Sequence, residues 1–178
     1  MRRLPLYVFA LLFTAALMIS STANAQRLNA NAGNQRAENE PEYVLEFPSD
    51  TWKAVERADT SRPQSEYVYG ERSDGYFRLR KQLVETGTST SDLAQRDQDR
   101  FRFKSGYVEG KTENFSGRLN GAVTAYEYTL AGKPMIERIY YLQADNRTIY
   151  VLQFSGQRDK LLRIRNQTDQ IARTFRLR

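Results

Sequence analysis

The chain contains no histidine and no cysteine, so the groups left for catalysis are paired carboxylates, lysine, tyrosine or a hard cation bound by carboxylates. That composition excludes Ser-His-Asp and Cys-His nucleophilic mechanisms and the usual zinc and copper sites. Glu109 and Glu113 fall on one predicted strand face with Lys111 between them, and Asp97 and Asp99 are two positions apart on a predicted helix. Neither pair has the pattern of two convergent carboxylates. We therefore predict no catalytic residue, no metal and no cofactor, with a carboxylate-only hydrolase as a remote alternative.

Arginines form the second group with functional chemistry, because a guanidinium can make paired hydrogen bonds to a carboxylate or phosphate. Arg78 and Arg80 alternate along a predicted strand, and Arg163 and Arg173 lie on the last predicted helix. These four arginines are our candidate surface for binding an acidic partner or an anionic envelope surface. The alternative is an ordinary solvated face, since acidic residues also interrupt that helix.

The charge pattern argues against nucleic acid as a partner. The chain carries 27 Lys and Arg residues and 21 Asp and Glu residues, for a formal net charge of +6. Nucleic-acid-binding domains gather basic residues into one patch with exposed stacking aromatics. Here the acidic residues are interleaved with the basic ones almost everywhere, so we predict that the protein does not bind nucleic acid.

Aromatic and aliphatic residues recur at every second position in three predicted strands, so they form columns on sheet faces. Half-buried strands favour such side chains, which predicts core packing beneath helices. The alternative is an exposed platform for a sugar or peptide. The columns consist of Tyr126, Tyr128 and Leu130; Tyr140 and Leu142; and Tyr150, Leu152 and Phe154.

The first half of the predicted domain contains a strand, a hairpin and a helix. A strand at 43–47 ends at Pro48, and Trp52 is assigned to the core. Strands at 66–72 and 76–84 flank Ser73-Asp74-Gly75, where Gly75 would supply the positive φ of a tight turn. A helix is predicted to begin at Ser91 and Asp92, with Ser91 as its cap, and to end near Lys104.

The second half predicts a four-strand meander followed by a helix. The strands cover 107–119, 122–131, 135–144 and 148–154, and their turns contain Asn120-Gly121, Gly132-Lys133-Pro134 and Asp145-Asn146. Connections this short join antiparallel neighbours. Residues 158–173 carry an apolar stripe at helical spacing, as a helix packed on a sheet does. The fold class is therefore α+β, an antiparallel sheet covered by helices.

The N-terminal segment has the features of an export signal. Arg2 and Arg3 precede an apolar run, 4–19, and Ala23-Asn24-Ala25 is a small-residue cleavage site, so cleavage is predicted after Ala25. Residues 26–42 are polar and predict a disordered spacer, and 43–178 a single domain. Without cysteine there is no lipidation site, so we expect no lipoprotein and no stable membrane anchor after cleavage. The predicted location is the periplasm or the extracellular medium.

The order of elements over 43–178 resembles that of the Mog1/PsbP-like family. Its domains begin with a strand that runs into a Phe-Pro and Trp segment, here Phe47-Pro48 and Trp52, and end with a strand, a helix and a hydrophobic tail, here Phe175 and Leu177. The resemblance implies an αβα sandwich that works in binding or assembly and not in catalysis. Relatives attach to a nuclear GTPase or a photosynthetic membrane complex. Bacterial relatives are often envelope lipoproteins, but this chain lacks the lipobox cysteine, and no partner-binding residue carries over.

The expected function is therefore that of an exported, non-enzymatic domain that binds or assembles with a protein partner in the cell envelope. A carrier of a small apolar ligand, held between sheet and helix, is the alternative.

Overall fold

An antiparallel sheet of eight strands forms the centre of the computed structural model. The structure describes residues 41–55 and 65–178, so the predicted signal peptide and most of the predicted spacer lie outside the described residues. The strands of the eight-stranded sheet are β2 (Trp52–Ala54), β3 (Glu66–Tyr69), β4 (Tyr76–Leu83), β5 (Val108–Glu109), β6 (Glu113–Phe115), β7 (Gly121–Leu130), β8 (Lys133–Gln143) and β9 (Thr148–Gln157). Two further strands, β1 (Tyr43–Val44) and β10 (Arg176–Leu177), pair with each other.

The strand order of the sheet is β2-β3-β4-β9-β8-β7-β5. Strand β6 also pairs with β7, on the same edge as β5. Strands β7, β8 and β9 follow one another as antiparallel neighbours, and β3 and β4 form a hairpin. The predicted hairpin and meander are therefore confirmed. Strand β9 joins the two parts, because it pairs with β4 along the whole length of that strand.

Helices cover both faces of the sheet. Helix α1 (Thr90–Phe101) packs over β7 and β8 on one face. Helices α2 (Arg158–Arg163) and α3 (Arg165–Thr174) pack on the opposite face, where Leu161, Ile171 and Phe175 join the larger apolar cluster. The predicted α+β class is confirmed, in an αβα arrangement.

The aromatic columns belong mainly to the core. Tyr140, Leu142, Tyr150, Leu152 and Phe154 are buried with Trp52 beneath α2 and α3. Tyr126 is buried on the α1 side, where it packs with Ile139 and Tyr141. Tyr128 is only partly buried and Leu130 is exposed, so the platform interpretation is wrong for every column except this one end.

Two predicted turns are displaced. The positive φ of the β3–β4 connection, +63°, is at Gly70 and not at Gly75. The β7–β8 connection is a two-residue turn in which Ala131 and Gly132 have φ of 49° and 74°, as in a type I′ turn, whose twist matches that of the strands. Lys133 therefore already belongs to β8, where it pairs with Leu130.

Two long predicted elements are interrupted. The strand predicted at 107–119 is split into β5 and β6, with Gly110 close against the Ala125 carbonyl between them; an added Cβ there would lie 1.9 Å from that oxygen. The predicted last helix breaks at Ile164, whose φ and ψ are −102° and 15°. Ile164 stays buried, so the break redirects the chain while the apolar stripe remains on the sheet.

The start of α1 also differs from the prediction. Ser89, and not Ser91, is the N-cap: its hydroxyl accepts from the Asp92 N–H at 3.1 Å, and Asp92 accepts from the Ser89 N–H at 3.1 Å. This is a capping box, which satisfies two backbone donors at the helix end.

The described segment begins and ends in the same small sheet. Tyr43 pairs with Leu177 and Val44 with Arg176, so the strand predicted over 43–47 is shortened to β1. Glu42, the last residue of the predicted spacer, forms an ion pair with Lys81 at 2.8 Å.

Candidate functional site

The α1 side of the sheet is only partly covered by its helix. Side chains alternate along β4, so Tyr76, Arg78 and Arg80 face this side while Phe77 and Leu79 join the opposite core. Helix α1 lies over β7 and β8, and its Leu93 and Ala94 cover the apolar residues there. The neighbouring surface of β4 and β9 is left as an open floor next to the C-terminal half of α1.

An open cleft of about 300 Å³ lies between this floor and α1. We call it the arginine cleft, because three guanidinium groups surround it. It is lined by Arg78, Arg80, Asp97, Arg100, Phe101 and Gln153.

Asp97 holds the inner side of the arginine cleft. Its carboxylate is 3% exposed and pairs with Arg80 at 2.6 Å and with Arg100 at 3.7 Å. The Tyr141 hydroxyl donates to the same carboxylate at 3.1 Å. Burial, together with the Asp97 charge, raises the pKa of Tyr141, so its hydroxyl remains a donor. One carboxylate therefore neutralises only part of the charge of two guanidinium groups.

The outer side of the arginine cleft is more exposed. The Arg78 side chain is 48% exposed; its Nε lies 3.4 Å from Glu66, and its Nη2 donates to the Tyr76 hydroxyl at 3.3 Å. The Arg100 side chain is 74% exposed. Both guanidinium groups retain free N–H directions, since each has five donors and the contacts found in the described residues use only some of them.

A second open cleft, of about 470 Å³, lies on the same face. We call it the aromatic cleft, after the two tyrosines in its wall. The Arg72 guanidinium lies 4.2 Å from the centre of the Tyr76 ring, and Leu130 at the rim is 57% exposed. The cleft is lined by Arg72, Ser73, Tyr76, Tyr128, Leu130, Met135, Ser155 and Gly156.

A buried polar cluster separates and supports the two clefts. Glu137 accepts from Lys104 at 2.7 Å and from the Gln153 amide at 2.5 Å. The Lys104 ammonium also lies 3.9 Å from the centre of the Tyr128 ring. Burial, with the Glu137 charge, raises the pKa of Tyr128 to about 12. Because Gln153 lines the arginine cleft and Tyr128 the aromatic cleft, this cluster fixes the floor of both.

The structure brings together only two of the four predicted site arginines. Arg78 and Arg80 both line the arginine cleft. Arg163 and Arg173 lie on α2 and α3, which cover the other face of the sheet. Arg173 donates to the Ser116 carbonyl at 2.8 Å and sits 5.4 Å from the centre of the Phe115 ring.

The candidate acidic pairs are separated by the fold. Glu109 is on β5 and Glu113 on β6, and they pair with different parts of β7. Asp97 is buried in its ion pair, whereas Asp99 is exposed and pairs with Arg102 at 2.8 Å. In residues 41–55 and 65–178, no group of three or more acidic residues is arranged to hold a metal ion.

Sequence reasoning missed Arg100, Phe101 and Gln153. Arg100 follows Asp97 by three positions, which places both on one side of a helix, so this pair could have been found once the helix was predicted. Gln153 could not have been found in this way, because it reaches the cleft only through the pairing of β9 with β4.

No helix within the described part of the chain is long and apolar enough to cross a membrane. No model of a known protein family matches the sequence, and no curated protein matches it either.

Solved structures with the same fold do exist. LpqN of Mycobacterium tuberculosis, a protein involved in cell envelope biogenesis, is 12% identical over 77% of this chain and 83% of its own, with a TM-score of 0.55. CyanoP, a cyanobacterial PsbP from Synechocystis sp. PCC 6803, is 12% identical over 77% of this chain and 87% of its own, with a TM-score of 0.52. A protein of unknown function from Pseudomonas aeruginosa is 11% identical over 58% of this chain and 73% of its own, with a TM-score of 0.50. The described chain therefore has a Mog1/PsbP-like fold.

Proposed function

We propose that this protein is an exported, non-enzymatic domain that binds an acidic segment of a protein partner in the cell envelope. The observation that carries the proposal is the arginine cleft, where Arg78, Arg80 and Arg100 surround an open space and one buried carboxylate, that of Asp97, serves both Arg80 and Arg100. Arginine is enriched at the centres of protein interfaces, where its planar fork recognises carboxylates.

The envelope setting is supported by two independent features. The sequence begins with the order of charge, apolar run and small-residue site that is typical of a cleaved export signal. One protein of the same fold, LpqN, is involved in cell envelope biogenesis. Since the chain has no cysteine, the export route that we propose ends in the periplasm or the medium without a lipid anchor.

The arginine cleft suits a partner better than the arginines of the C-terminal helices. Arg78, Arg80 and Arg100 line one open space, whereas the Arg173 guanidinium lies against the Ser116 carbonyl and the Phe115 ring. The space between the sheet and these helices is filled by Ile171, Ala172 and Phe175, all fully buried, so no observation favours the apolar-carrier alternative.

Photo-crosslinking in the native envelope tests the proposal. A crosslinking residue is placed at Phe103, which is 87% exposed just after α1. We expect one reproducible adduct whose crosslinked peptide is acidic by mass spectrometry. Because repulsion replaces attraction in the cleft, Arg78→Glu with Arg100→Glu should reduce its yield at least about tenfold, which corresponds to about 1.4 kcal/mol of binding free energy.

The matched control is Arg163→Glu with Arg173→Glu, which makes the same charge change on the opposite face. We expect the control to keep the adduct, and all variants to retain the circular dichroism spectrum of the parent protein. Loss of the adduct in the control but not in the cleft variant would mean that the partner binds at helices α2 and α3. An unchanged adduct in both would overturn the proposal.

A further inference from the structure

The arginine cleft and the aromatic cleft lie next to each other along one face of β4. Tyr76 lines the aromatic cleft, whereas Arg78 and Arg80 line the arginine cleft. On the neighbouring strand, Ser155 and Gln153 follow the same order, because Tyr76 pairs with Ser155 and Arg78 with Gln153. A single bound molecule can therefore contact both clefts without crossing a helix.

The two clefts differ in chemistry. Large apolar side chains line the aromatic cleft, among them Tyr128, Leu130 and Met135. The arginine cleft is polar and cationic. Taken together, the two clefts and the cluster between them carry five cationic side chains, Arg72, Arg78, Arg80, Arg100 and Lys104, against three anionic ones, Glu66, Asp97 and Glu137. The surface is therefore complementary to a ligand that has both an apolar and an anionic part.

The distance between the clefts sets the spacing of these two parts. A strand rises about 3.3 Å per residue, so Arg78 lies about 7 Å and Arg80 about 13 Å along β4 from Tyr76. In an extended peptide these distances correspond to residues two and four positions apart. In a helix, which rises about 1.5 Å per residue, they would require roughly five to nine positions.

We infer that the partner segment is an extended peptide with a large apolar residue in the aromatic cleft and acidic residues two and four positions away in the arginine cleft. The inference rests on the proposed function, because it specifies the sequence class of the partner that the arginine cleft holds. Aromatic residues and arginine are the side chains that most often dominate interface energetics. The apolar residue anchors the segment, and the paired acids fix its register.

The test uses fluorescently labelled peptides and the protein purified after export, measured by fluorescence anisotropy. One peptide carries Leu with Glu at the second and fourth following positions in a Gly/Ser background. A second peptide has the same composition with the first Glu eight positions from Leu, and a third replaces Leu by Ser. We expect the first peptide to bind about tenfold more tightly than either of the others, since only it fills both clefts.

Variants assign the effect to each cleft. Leu130→Ser, which removes the apolar side chain without adding charge, should weaken binding of the first peptide to the level of the peptide that lacks Leu, and should leave that third peptide unaffected. The matched control is Leu162→Ser, which alters an exposed leucine on α2 and should change nothing. Arg100→Glu should weaken all three peptides.

Each other outcome overturns the inference. Equal binding of the first and third peptides would show that the aromatic cleft takes no part, and the partner proposal would stand if the crosslinked adduct still depends on Arg78 and Arg100. Tightest binding of the long-spaced peptide would indicate a helical segment. No binding of any peptide at millimolar concentration would reject a short linear segment as the ligand.

Discussion

Asp97 is the residue on which the geometry of the arginine cleft depends. Its buried carboxylate fixes the Arg80 guanidinium and accepts from the Tyr141 hydroxyl, so it joins α1 to β4 and β8. A buried carboxylate is stable only where hydrogen bonds and opposite charges replace its hydration. Asp97 is therefore a residue that positions Arg80.

We expect Asp97→Asn to lower the free energy of unfolding by about 2 kcal/mol, because it removes a charged hydrogen-bond partner from Arg80 and Tyr141. Partial exposure of Arg80 keeps the loss below that of a fully buried ion pair. Urea denaturation followed by tryptophan fluorescence measures the change, since Trp52 is the single tryptophan and is buried.

Asp99→Asn is the matched control for this substitution. Asp99 lies two positions further along α1 and forms an exposed ion pair with Arg102. Exposed pairs contribute little, so we expect a change below about 0.5 kcal/mol. If Asp99→Asn destabilised the protein as much as Asp97→Asn, helix charge in general would explain the effect, and Asp97 would have no special role.

The N-cap of helix α1 is Ser89, two residues before the predicted cap at Ser91. Both Ser89 and Ser91 precede the apolar residues Leu93 and Ala94, and either could cap a helix. The capping box decides between them, because Asp92 is three positions after Ser89 and can return a hydrogen bond to its N–H. The S-x-x-D spacing was visible in the sequence, so this error was avoidable.

The two serines give a direct test of where α1 begins. Ser89→Ala removes the cap and should lower the free energy of unfolding by about 1 kcal/mol. Ser91→Ala lies within the first turn, where alanine is the better helix former, and should be neutral or slightly stabilising. The urea midpoints of the two variants measure the difference, and the reverse order would place the cap at Ser91.

Regular elements were predictable where a local pattern determines them. The alternation in β4 and the paired aromatics of β7 to β9 identify strands from residues two positions apart. The breaks at Gly110 and Ile164 were not predictable, because the first depends on a close contact with β7 and the second on packing against the opposite face. Both are tertiary effects that no local window contains.

The candidate site was half predictable for the same reason. Arg78 and Arg80 share a face because of strand alternation alone, so the sequence places them together. Their neighbours Arg100 and Gln153 come from α1 and β9, which are distant in sequence and meet only in the folded chain. The structure places Arg163 and Arg173 on the other side of the sheet, which the sequence did not indicate because charge pattern does not tell which face of a sheet a helix covers.

The two ends of the described domain meet in the β1–β10 sheet, beside the larger core. Tyr43 packs against Phe175 and Tyr150, with ring centres 5.8 and 6.2 Å away, and the Arg178 N–H donates to the Glu42 carbonyl at 3.1 Å. The segment that follows residue 40 is thus held by the last residues of the chain.

Deleting residues 176–178 should therefore loosen β1 without unfolding the main sheet. The deletion removes both β1 pairs and the Arg176 ion pair with Glu46, so we expect faster amide hydrogen exchange over 42–46 and unchanged exchange over β8 and β9. Arg178→Ala is the matched control, because it keeps both backbone pairs and the backbone N–H. Hydrogen exchange read by mass spectrometry distinguishes the deletion from this control.

Equal protection of 42–46 in the deletion and in the parent protein would mean that Tyr43 packing alone holds this segment. Faster exchange throughout β8 and β9 would mean that the small sheet supports the whole core.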